Sequence, residues 1–437
     1  MSNKHTLLVL LIAACGDGAP ASPDAPVTPP QPDAPPAQSV CAQQGLTPAP
    51  LRTDLAWSGN NRTDLQAWID AGGCTSPTYD PAHKPVATFD WDNTISKQDF
   101  GDAMTYWFIA NAKVLQPPNK DWHATSAYLT DAAATALSTA CGTTIAVGSS
   151  LQTDTNTECA DEMLSIYDDE VTRAGAPAFN AVNKRRMEAA YAWTPQLMAG
   201  YTHAQVQAFT QTGTTAMLNA AIDATQIVGT KAENGWLRIN DQQKDLIHAL
   251  QTSGFDVWII TASPQDVIGA MSPSLVNVPF DHVVGIRSMT DGAGKLTYAF
   301  EGCGTVADNQ MELIPTIQGK RCFINKVIYG ATTNAFARRP EGQRQYFASA
   351  DTDSDVEFMR DAKYKLVINR NKPDLMCHAY NNENDSWRVN PLFIEPKAMH
   401  APYPCSTTAF MTETGASQPT RDEGGNVIAD QADAVYP

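Results

Sequence analysis

The sequence lacks several features that would point to particular classes of protein. Positive charge is scarce, because 30 Lys and Arg face 47 Asp and Glu, giving a formal net charge of −17. Such a surface repels phosphate backbones, so we expect no nucleic-acid partner. No two cysteines have the Cys-x-x-Cys spacing, which argues against a cysteine-rich metal site or a thioredoxin-like centre. The sequence also shows no internal repeat and no apolar run long enough to span a membrane.

What is present fits a folded protein with a large core. The chain has 437 residues, of which 43 % are hydrophobic and 18 % are charged. That length predicts two or three domains, and that composition is typical of folded rather than disordered chains. The surplus of acidic residues has two explanations, solubility and a cationic substrate, and composition leaves both open.

The N-terminus predicts export to the periplasm, or to the outer membrane or cell surface. Lys4 precedes an apolar stretch at 7–14 that is too short to cross a bilayer and is typical of a signal peptide. The stretch ends in Ile-Ala-Ala-Cys15, which resembles a bacterial lipobox, whose cysteine is lipidated and becomes the mature N-terminus. An ordinary signal peptide cleaved nearby is the alternative. We therefore expect a signal peptide at 1–14 and a lipidated, Pro-rich tether at 15–41 that anchors the protein to a membrane.

Eight cysteines follow Cys15, and an even number in an exported protein is most simply a set of disulfides. Other connectivities are compatible with the sequence. Pairing neighbours along the chain predicts four bonds: Cys41–Cys74, Cys141–Cys159, Cys303–Cys322 and Cys377–Cys405.

Secondary-structure patterns along the chain predict an α/β fold. Residues 85–90 form a short apolar run closing on an acid, as in a buried parallel strand, and residues 99–239 then show helical periodicity. The remaining patterns are a helix at 242–252, strands at 255–261, 282–287, 345–350 and 365–369, and a hairpin at 290–299. We expect a Rossmann-like parallel sheet core at 42–97 and 240–437, with a large helical cap at 98–239 inserted after the first strand.

An acidic motif, Asp90-Trp-Asp92-Asn-Thr94, follows the first predicted strand directly. Alone it is a weak signal, because acids at strand ends often only cap the next helix. Three further elements follow in order: Thr261 at the end of a strand, Lys320 in Gly-Lys-Arg-Cys-Phe-Ile, and the pair Asp351 and Asp355 after another strand. An open parallel sheet gathers the carboxyl ends of its strands at one edge, where ligands bind. We therefore expect these side chains to converge.

This ordered set resembles the four motifs of the haloacid dehalogenase (HAD) superfamily, over residues 85–369. The insert is similar to that family's C1 type of cap, and the segments after the second motif resemble the phosphoserine-phosphatase-like branch, within which bacterial phosphorylcholine phosphatases are similar. One departure is that the last motif usually opens with Gly, whereas this chain has Ala350. Ala is small, so we expect little effect.

The resemblance implies a Mg²⁺-dependent phosphomonoesterase that works through an aspartyl-phosphate. Asp90 would be the nucleophile, and Mg²⁺ would be held by Asp90, Asp351, Asp355 and the backbone carbonyl of Asp92. Asp92 would act as general acid and base. A dehalogenase has no use for the second Asp or for the metal acids.

Lys320 and Thr261 would hold the phosphoryl oxygens, which gives them catalytic roles. Two alternatives stay open for these residues: Lys326 for the lysine, and Ser263 for the hydroxyl. Asp353 and Glu357 are interpreted as a solvated helix face.

Two acids indicate the substrate. In the phosphoserine-phosphatase-like branch, an acid nine residues after the nucleophile binds the ammonium group of the substrate. In phosphorylcholine phosphatases, the comparable acid lies about twelve residues after the nucleophile. Asp99 and Asp102 occupy these spacings, and Tyr106 or Trp107 would supply aromatic faces for a quaternary ammonium. The alternative is that both acids only form the first turn of a cap helix.

Two functions are therefore considered. The first is an exported phosphomonoesterase for a small alkyl or amino-alcohol phosphate such as phosphorylcholine. The second is a catalytically silent HAD-fold lipoprotein that binds a cationic solute through its cap. Every charged motif position is filled, which favours the enzyme. The polar segment from Asn369 to Asn381 follows the last strand. It either closes over the site from the core side or is a disulfide-tethered surface loop, and we favour the surface loop.

Overall fold

The computed structural model describes residues 39–437. The predicted signal peptide, the predicted lipidation site Cys15 and most of the predicted tether lie outside the described residues. Within residues 39–437, no helix combines the length and the apolar character needed to span a membrane.

The strands and helices of this part of the chain are numbered in chain order. The strands are β1 Val86–Phe89, β2 Ser96–Lys97, β3 Thr225–Val228, β4 Lys231–Asn234, β5 Arg238–Ile239, β6 Asp256–Pro264, β7 Val283–Ile286, β8 Ser288–Thr290, β9 Leu296–Phe300, β10 Phe347–Ala350, β11 Tyr364–Asn369, β12 Trp387–Pro391, β13 Phe410–Met411 and β14 Ser417–Gln418. The helices are α1 Val40–Gln43, α2 Asn61–Gly72, α3 Phe100–Ala110, α4 Asp131–Cys141, α5 Thr157–Asp169, α6 Ala189–Leu197, α7 His203–Asn219, α8 Asp241–Thr252, α9 Gln265–Val276, α10 Gln318–Phe323, α11 Val356–Asp361 and α12 Pro373–Asn381.

The core is a six-stranded sheet in the order β12-β11-β10-β1-β6-β7, and all its pairings are parallel. The central strands β1 and β10 and the edge strand β7 are short and buried along their whole length, which explains their mostly apolar sequences. Apolar side chains from α2, α8 and α9 pack on one face of the sheet, and those from α10, α11 and α12 pack on the other. The α/β prediction is confirmed.

The cap is inserted after β1, as predicted. The chain leaves and re-enters the core through the short antiparallel pair β2–β5, next to the predicted boundaries 98 and 239. Between them, α4, α5 and α6 enclose a separate apolar cluster that includes Leu137, Met163 and Trp193. The cap and the core together form one compact unit.

Part of the helical prediction for the cap is wrong. Residues 225–234 form the hairpin β3–β4, because the β-branched run after Ala224 favours a strand and the turn is held from outside. The turn uses Gly229 at φ 58°, and both carboxylate oxygens of Asp161 accept hydrogen bonds from Thr230. The stretch before Ala189 is also not helical: Arg185 bonds Glu357 and Arg186 bonds Gln318, so contacts with the core override local helix propensity.

All four predicted disulfides are present: Cys41–Cys74, Cys141–Cys159, Cys303–Cys322 and Cys377–Cys405. The second joins α4 to α5 and is called the cap disulfide below. The third fixes α10, a helix of only six residues, to the loop after β9. A helix that short has little stability of its own, so this bond holds α10 in place.

Candidate active site

Three neighbouring strands of the sheet bring the predicted site residues together. Asp90 directly follows β1, Asp351 directly follows β10, and Thr261 lies within β6. These strands are adjacent in the order β10-β1-β6, so their carboxyl ends meet at one edge of the sheet. All three side chains are buried. The structure therefore brings together residues that are up to 261 positions apart in the sequence.

Lys320 completes an ionic cluster with two of the acids. Its Nζ donates to Asp90 Oδ1 at 2.6 Å and also to Asp355 Oδ1. The side chain is 1 % exposed, as the second residue after the start of α10. Lys326 lies elsewhere, where its Nζ donates to Gly302 O at 2.8 Å. Lys320, not Lys326, is therefore the lysine of the site.

Asp351 is held by two donors. Thr94 Oγ1 donates to Asp351 Oδ1 at 2.8 Å, and Arg370 Nη1 donates to Oδ2 at 2.7 Å. Thr94 belongs to the first motif, so this bond joins the first and last motifs across the pair β1–β10. Arg370 comes from the segment after β11 that the sequence suggested was only a surface loop, and that interpretation is wrong.

The acids of the cluster fit a hard divalent cation. Carboxylate oxygens of Asp90, Asp351 and Asp355 all lie within 4.8 Å of one another. Oxygen ligands of this kind suit Mg²⁺. Three carboxylates face two cations, Lys320 and Arg370, so full ionisation leaves negative charge that a divalent ion would compensate. The residues present therefore match the expected cofactor.

Burial is the main electrostatic influence on these groups. Burial raises the pKa of Asp90 well above its usual range, Lys320 acts in the opposite direction, and the neighbouring carboxylates raise it further. Burial lowers the pKa of the Lys320 ammonium, but attraction by Asp355 and Asp90 outweighs this and leaves it raised. Lys320 is therefore a permanent positive charge beside Asp90.

Asp92 points away from the cluster, towards β6 and the cap. Its Oδ1 accepts from the Phe100 backbone N–H at 2.7 Å, and its Oδ2 accepts from Ser263 Oγ at 2.6 Å. Thr261 Oγ1 lies 3.3 Å from the same Oδ2 and accepts from the Ser263 N–H. Burial and then the Asp99 charge raise the pKa of Asp92 well above its usual range. A raised pKa favours the protonated form, which is the form that a general acid needs.

A chain of short contacts leads from Asp92 to the cap. Ser263 Oγ lies 2.7 Å from Tyr191 Oη, which in turn lies 2.9 Å from Asp99 Oδ1. Ser263 donates to Asp92 and Tyr191 donates to Asp99, so the two hydroxyls connect an acid of the first motif to an acid at the start of α3.

The two predicted substrate acids differ in position. Asp99 caps α3 by accepting from the Asp102 N–H at 3.0 Å, and it also lines the cavity above the cluster. Asp102 instead accepts from Tyr167 Oη at 2.6 Å and does not line that cavity. Burial raises the pKa of both acids, and the nearby Asp99 raises that of Asp102 further. Only Asp99 is placed to touch a ligand.

The predicted aromatic faces do not reach the cavity. Tyr106 Oη donates to Asp168 inside the cap, and Trp107 packs against Phe209. That expectation is wrong, because both side chains are used to build the cap. Tyr191 is the aromatic side chain on the cavity wall.

The cavity between cap and core has a volume of about 280 Å³, which suits a small ligand. Asp90, Asp92 and Lys320 form its base, and the walls carry charges of both signs: Asp99, Glu188, Arg370 and Lys372. Larger cavities of about 710 and 730 Å³ are lined by none of the predicted site residues.

Sequence patterns missed several of these side chains. Arg370 and Lys372 follow a strand, and the signal was their place at the carboxyl end of β11, the same sheet edge as Asp351. Asp353 and Glu357 are not a solvated face: Asp353 accepts from the Leu375 N–H, and Glu357 bonds Arg185. No sequence pattern indicated the contact between Tyr191 and Ser263.

Comparison with solved structures shows that the fold recurs in other proteins. The chain is similar to a functionally unknown protein from Anaerococcus prevotii, with a TM-score of 0.58 and 19 % identity over 78 % of this chain and 94 % of that one. A HAD-family hydrolase from Salmonella enterica serovar Typhi has a TM-score of 0.31 and 10 % identity over 64 % and 61 % of the two chains. A substrate-bound phosphoserine phosphatase has a TM-score of 0.29 and 11 % identity over 65 % and 86 %. The last two are too distant to support an argument, and no protein-family model or curated protein matches the chain.

Proposed function

We propose that this chain is a Mg²⁺-dependent phosphomonoesterase of the HAD superfamily, with Asp90 as its nucleophile. The observation that carries the proposal is the buried cluster of Asp90, Asp351, Asp355 and Lys320 at the carboxyl edge of the sheet, at the base of a small cavity. A phosphate monoester is dianionic, so a carboxylate can attack it only where cations offset both charges. This cluster provides such a place.

The reaction uses groups that the structure has already brought together. Asp90 attacks phosphorus and forms an aspartyl-phosphate while the bond to the alcohol breaks, and water later hydrolyses that intermediate. Asp92 gives a proton to the departing oxygen and then takes one from the attacking water. Lys320 lines the cavity and holds a phosphoryl oxygen. The Thr261 hydroxyl donates to Asp92 Oδ2 and lies outside the cavity lining, so it supports Asp92 instead of the phosphate. Mg²⁺, held by Asp90, Asp351, Asp355 and the Asp92 carbonyl, would supply the remaining positive charge.

We propose a small amino-alcohol phosphate, such as phosphorylcholine, as the substrate. The cavity of about 280 Å³ is small, and Asp99 and Glu188 place two carboxylates on its wall. An ammonium group on the leaving alcohol would meet the Asp99 carboxylate and the ring of Tyr191. Arg370 is already paired with Asp351 and does not offset this charge fully.

We also propose that the protein is exported and anchored to a membrane through Cys15. Four disulfides support an oxidising compartment, since such bonds rarely persist in the cytosol. The lipidation itself rests on the sequence Ile-Ala-Ala-Cys15. Mass spectrometry of the membrane fraction would show whether the mature N-terminus is a lipidated Cys15 or an unmodified residue further along.

The test of activity is hydrolysis of a panel of phosphomonoesters, with Mg²⁺ and with EDTA. We expect Mg²⁺-dependent turnover that Asp90→Asn abolishes in a folded protein, because the carboxamide keeps the shape but is no nucleophile. Asp353→Asn is the matched control: it lies in the same loop as the metal acids and keeps the oxygen that accepts from the Leu375 N–H. Activity that survives Asp90→Asn would reject Asp90 as the nucleophile.

The alternative, a silent protein that binds a cationic solute, is favoured by one observation, the two carboxylates on the cavity wall. It predicts no turnover of any phosphomonoester, together with measurable binding of choline or ethanolamine by calorimetry. Turnover that depends on Asp90 rejects it.

A further inference from the structure

A hydroxyl group of the cap contacts a side chain that bonds the predicted acid–base residue, Asp92. Tyr191 belongs to α6 of the cap, and its Oη lies 2.7 Å from the Oγ of Ser263, a fully buried residue in β6 of the core. Ser263 Oγ in turn donates to Asp92 Oδ2 at 2.6 Å. Tyr191 therefore lies one side chain away from the group expected to move protons.

Asp92 has partners in both the cap and the core. Oδ1 accepts from the backbone N–H of Phe100, the first residue of α3 in the cap. Oδ2 accepts from Ser263 Oγ and Thr261 Oγ1, both in β6, and Tyr191 of the cap contacts the Ser263 hydroxyl. A carboxyl group held at both oxygens has one orientation, whereas a group held at one is free to turn about its last torsion.

Gly101 lies directly against both hydroxyls of the bridge. A Cβ at Gly101 would lie 2.6 Å from Ser263 Oγ and 2.6 Å from Tyr191 Oη, far inside van der Waals contact. The position next to Phe100 therefore has to be glycine for the two hydroxyls to meet. The hydroxyl contact and the glycine are separate observations, and both indicate that this bridge is built into the fold.

We propose that Tyr191 is a positioning residue for Asp92, acting through Ser263, so that the acid–base group is in place only while α6 is docked on the core. The inference rests on the proposed phosphomonoesterase function. The hydroxyl of Tyr191 contacts Ser263 and Asp99, so its proposed effect on Asp92 is exerted through Ser263. It couples the closed cap to the chemistry beneath it.

The chemistry gives this role a signature that a purely structural role lacks. When the P–O bond of an alkyl phosphate breaks, the departing alkoxide needs the proton of Asp92. When the bond of p-nitrophenyl phosphate breaks, the electron pair leaves on nitrophenolate, a stable anion that needs no proton. Misplacing Asp92 should therefore affect alkyl esters selectively in kcat/KM, which reports the steps up to the first departure.

The experiment compares kcat/KM for propyl phosphate and p-nitrophenyl phosphate in the parent and in Tyr191→Phe. Neither substrate carries an ammonium group, so binding of a positive charge by Asp99 does not affect the comparison. We expect kcat/KM for propyl phosphate to fall about ten- to a hundredfold, and that for p-nitrophenyl phosphate to change less than about threefold. Tyr128→Phe is the matched control, because Tyr128 is also a cap tyrosine whose hydroxyl reaches the core, at Met311 O, 3.0 Å away. It should leave the ratio of the two substrates unchanged.

A second arm tests the path through Ser263. If Tyr191 acts only through that hydroxyl, adding Tyr191→Phe to Ser263→Ala should cost nothing further, whereas independent roles would give additive losses. Gly101→Ala should reproduce the selective loss on propyl phosphate. An equal fall for both substrates in Tyr191→Phe, additive losses, or an unchanged ratio would each overturn the proposal. Failure of the phosphatase assignment looks different, because the parent would then turn over neither substrate.

Discussion

Removing the positive charge of Lys320 tests the electrostatic account of the site most directly. Lys320→Met keeps the length and apolar stem of the side chain but leaves Asp90 and Asp355 without the ammonium that both now contact. The lysine is 1 % exposed, so its ammonium and the two carboxylates are paired in a largely dry environment. The variant should be destabilised without metal and stabilised more strongly than the parent by Mg²⁺.

The expected magnitude follows from the burial of the cluster. Breaking a buried ion pair by removing one partner costs about 3–5 kcal/mol, because the other charge is left uncompensated. Part of this is avoided if Asp90 takes up a proton, which its raised pKa already favours. Removing one positive charge from the cluster should also tighten Mg²⁺ binding by about tenfold or more, worth roughly 1.4 kcal/mol of extra stabilisation at saturating metal.

The assay is denaturant unfolding of the parent and Lys320→Met, each with EDTA and with Mg²⁺ in excess. Lys326→Met serves as the control, because that lysine lies outside the site and its main contact is Gly302 O. Hydrolysis of p-nitrophenyl phosphate is followed in parallel, and Lys320→Met should lose it while Lys326→Met keeps it.

Two outcomes would refute the reasoning. If Lys320→Met were as stable as the parent in EDTA, the ammonium would not be compensating the buried carboxylates. If Mg²⁺ stabilised both proteins equally, or neither, the three acids would not bind the cation next to Lys320.

Three further perturbations follow from the structure. Asp99→Asn should lower the ratio of kcat/KM for phosphorylcholine to kcat/KM for p-nitrophenyl phosphate about ten- to a hundredfold, whereas Asp102→Asn should not, because that acid lies outside the cavity. Equal ratios in the parent and both variants would mean that these acids only begin a helix. Replacing Cys303 and Cys322 together by Ser should lower kcat more than loss of the cap disulfide, since only the former bond holds the helix of the site lysine, and steady-state kinetics of the two double variants makes the comparison. Burial lowers the pKa of Lys365 to about 8, below its ordinary 10.5, so its charged form reduces stability at neutral pH and the parent should gain stability as the pH rises from 8 to 10.5. In denaturant titrations, the free energy of unfolding of Lys365→Met should exceed that of the parent by about 2–3 kcal/mol at pH 7, and the difference should disappear near pH 10.5.

The fold could be predicted where the local pattern of apolar residues matches the burial of the element that they form. The strands β1 and β10 are buried on both faces, so their apolar runs ended on the acids of the site and marked its edge correctly. The hairpin β3–β4 could not be predicted in the same way, because its turn is fixed by Asp161, more than 60 positions earlier. Local periodicity contains no information about a partner at that distance.

The same distinction holds for the site, where local motifs predicted some residues and only the folded structure reveals the others. Asp90, Asp351 and Lys320 lie in short motifs next to strands or a helix, so their order along the chain was enough to group them. Arg370 carries no motif, and its charge and loop composition indicated solvent. Its role becomes visible only when β11 is placed beside β10, because that pairing brings the end of one strand to the acid at the end of the other.

The contacts of Asp92 connect the proposed function to the cap as well as to the motifs. The motif residues all belong to the core, yet Asp92 takes one hydrogen bond from Phe100 of the inserted segment, and its Ser263 partner contacts Tyr191 of that segment. Under the proposed function, a core without its cap would keep the metal acids and Lys320 but would lose the Phe100 N–H that bonds Asp92. Because an alkyl ester needs a general acid and an aryl ester does not, we expect the inserted segment to influence which leaving groups the core can release.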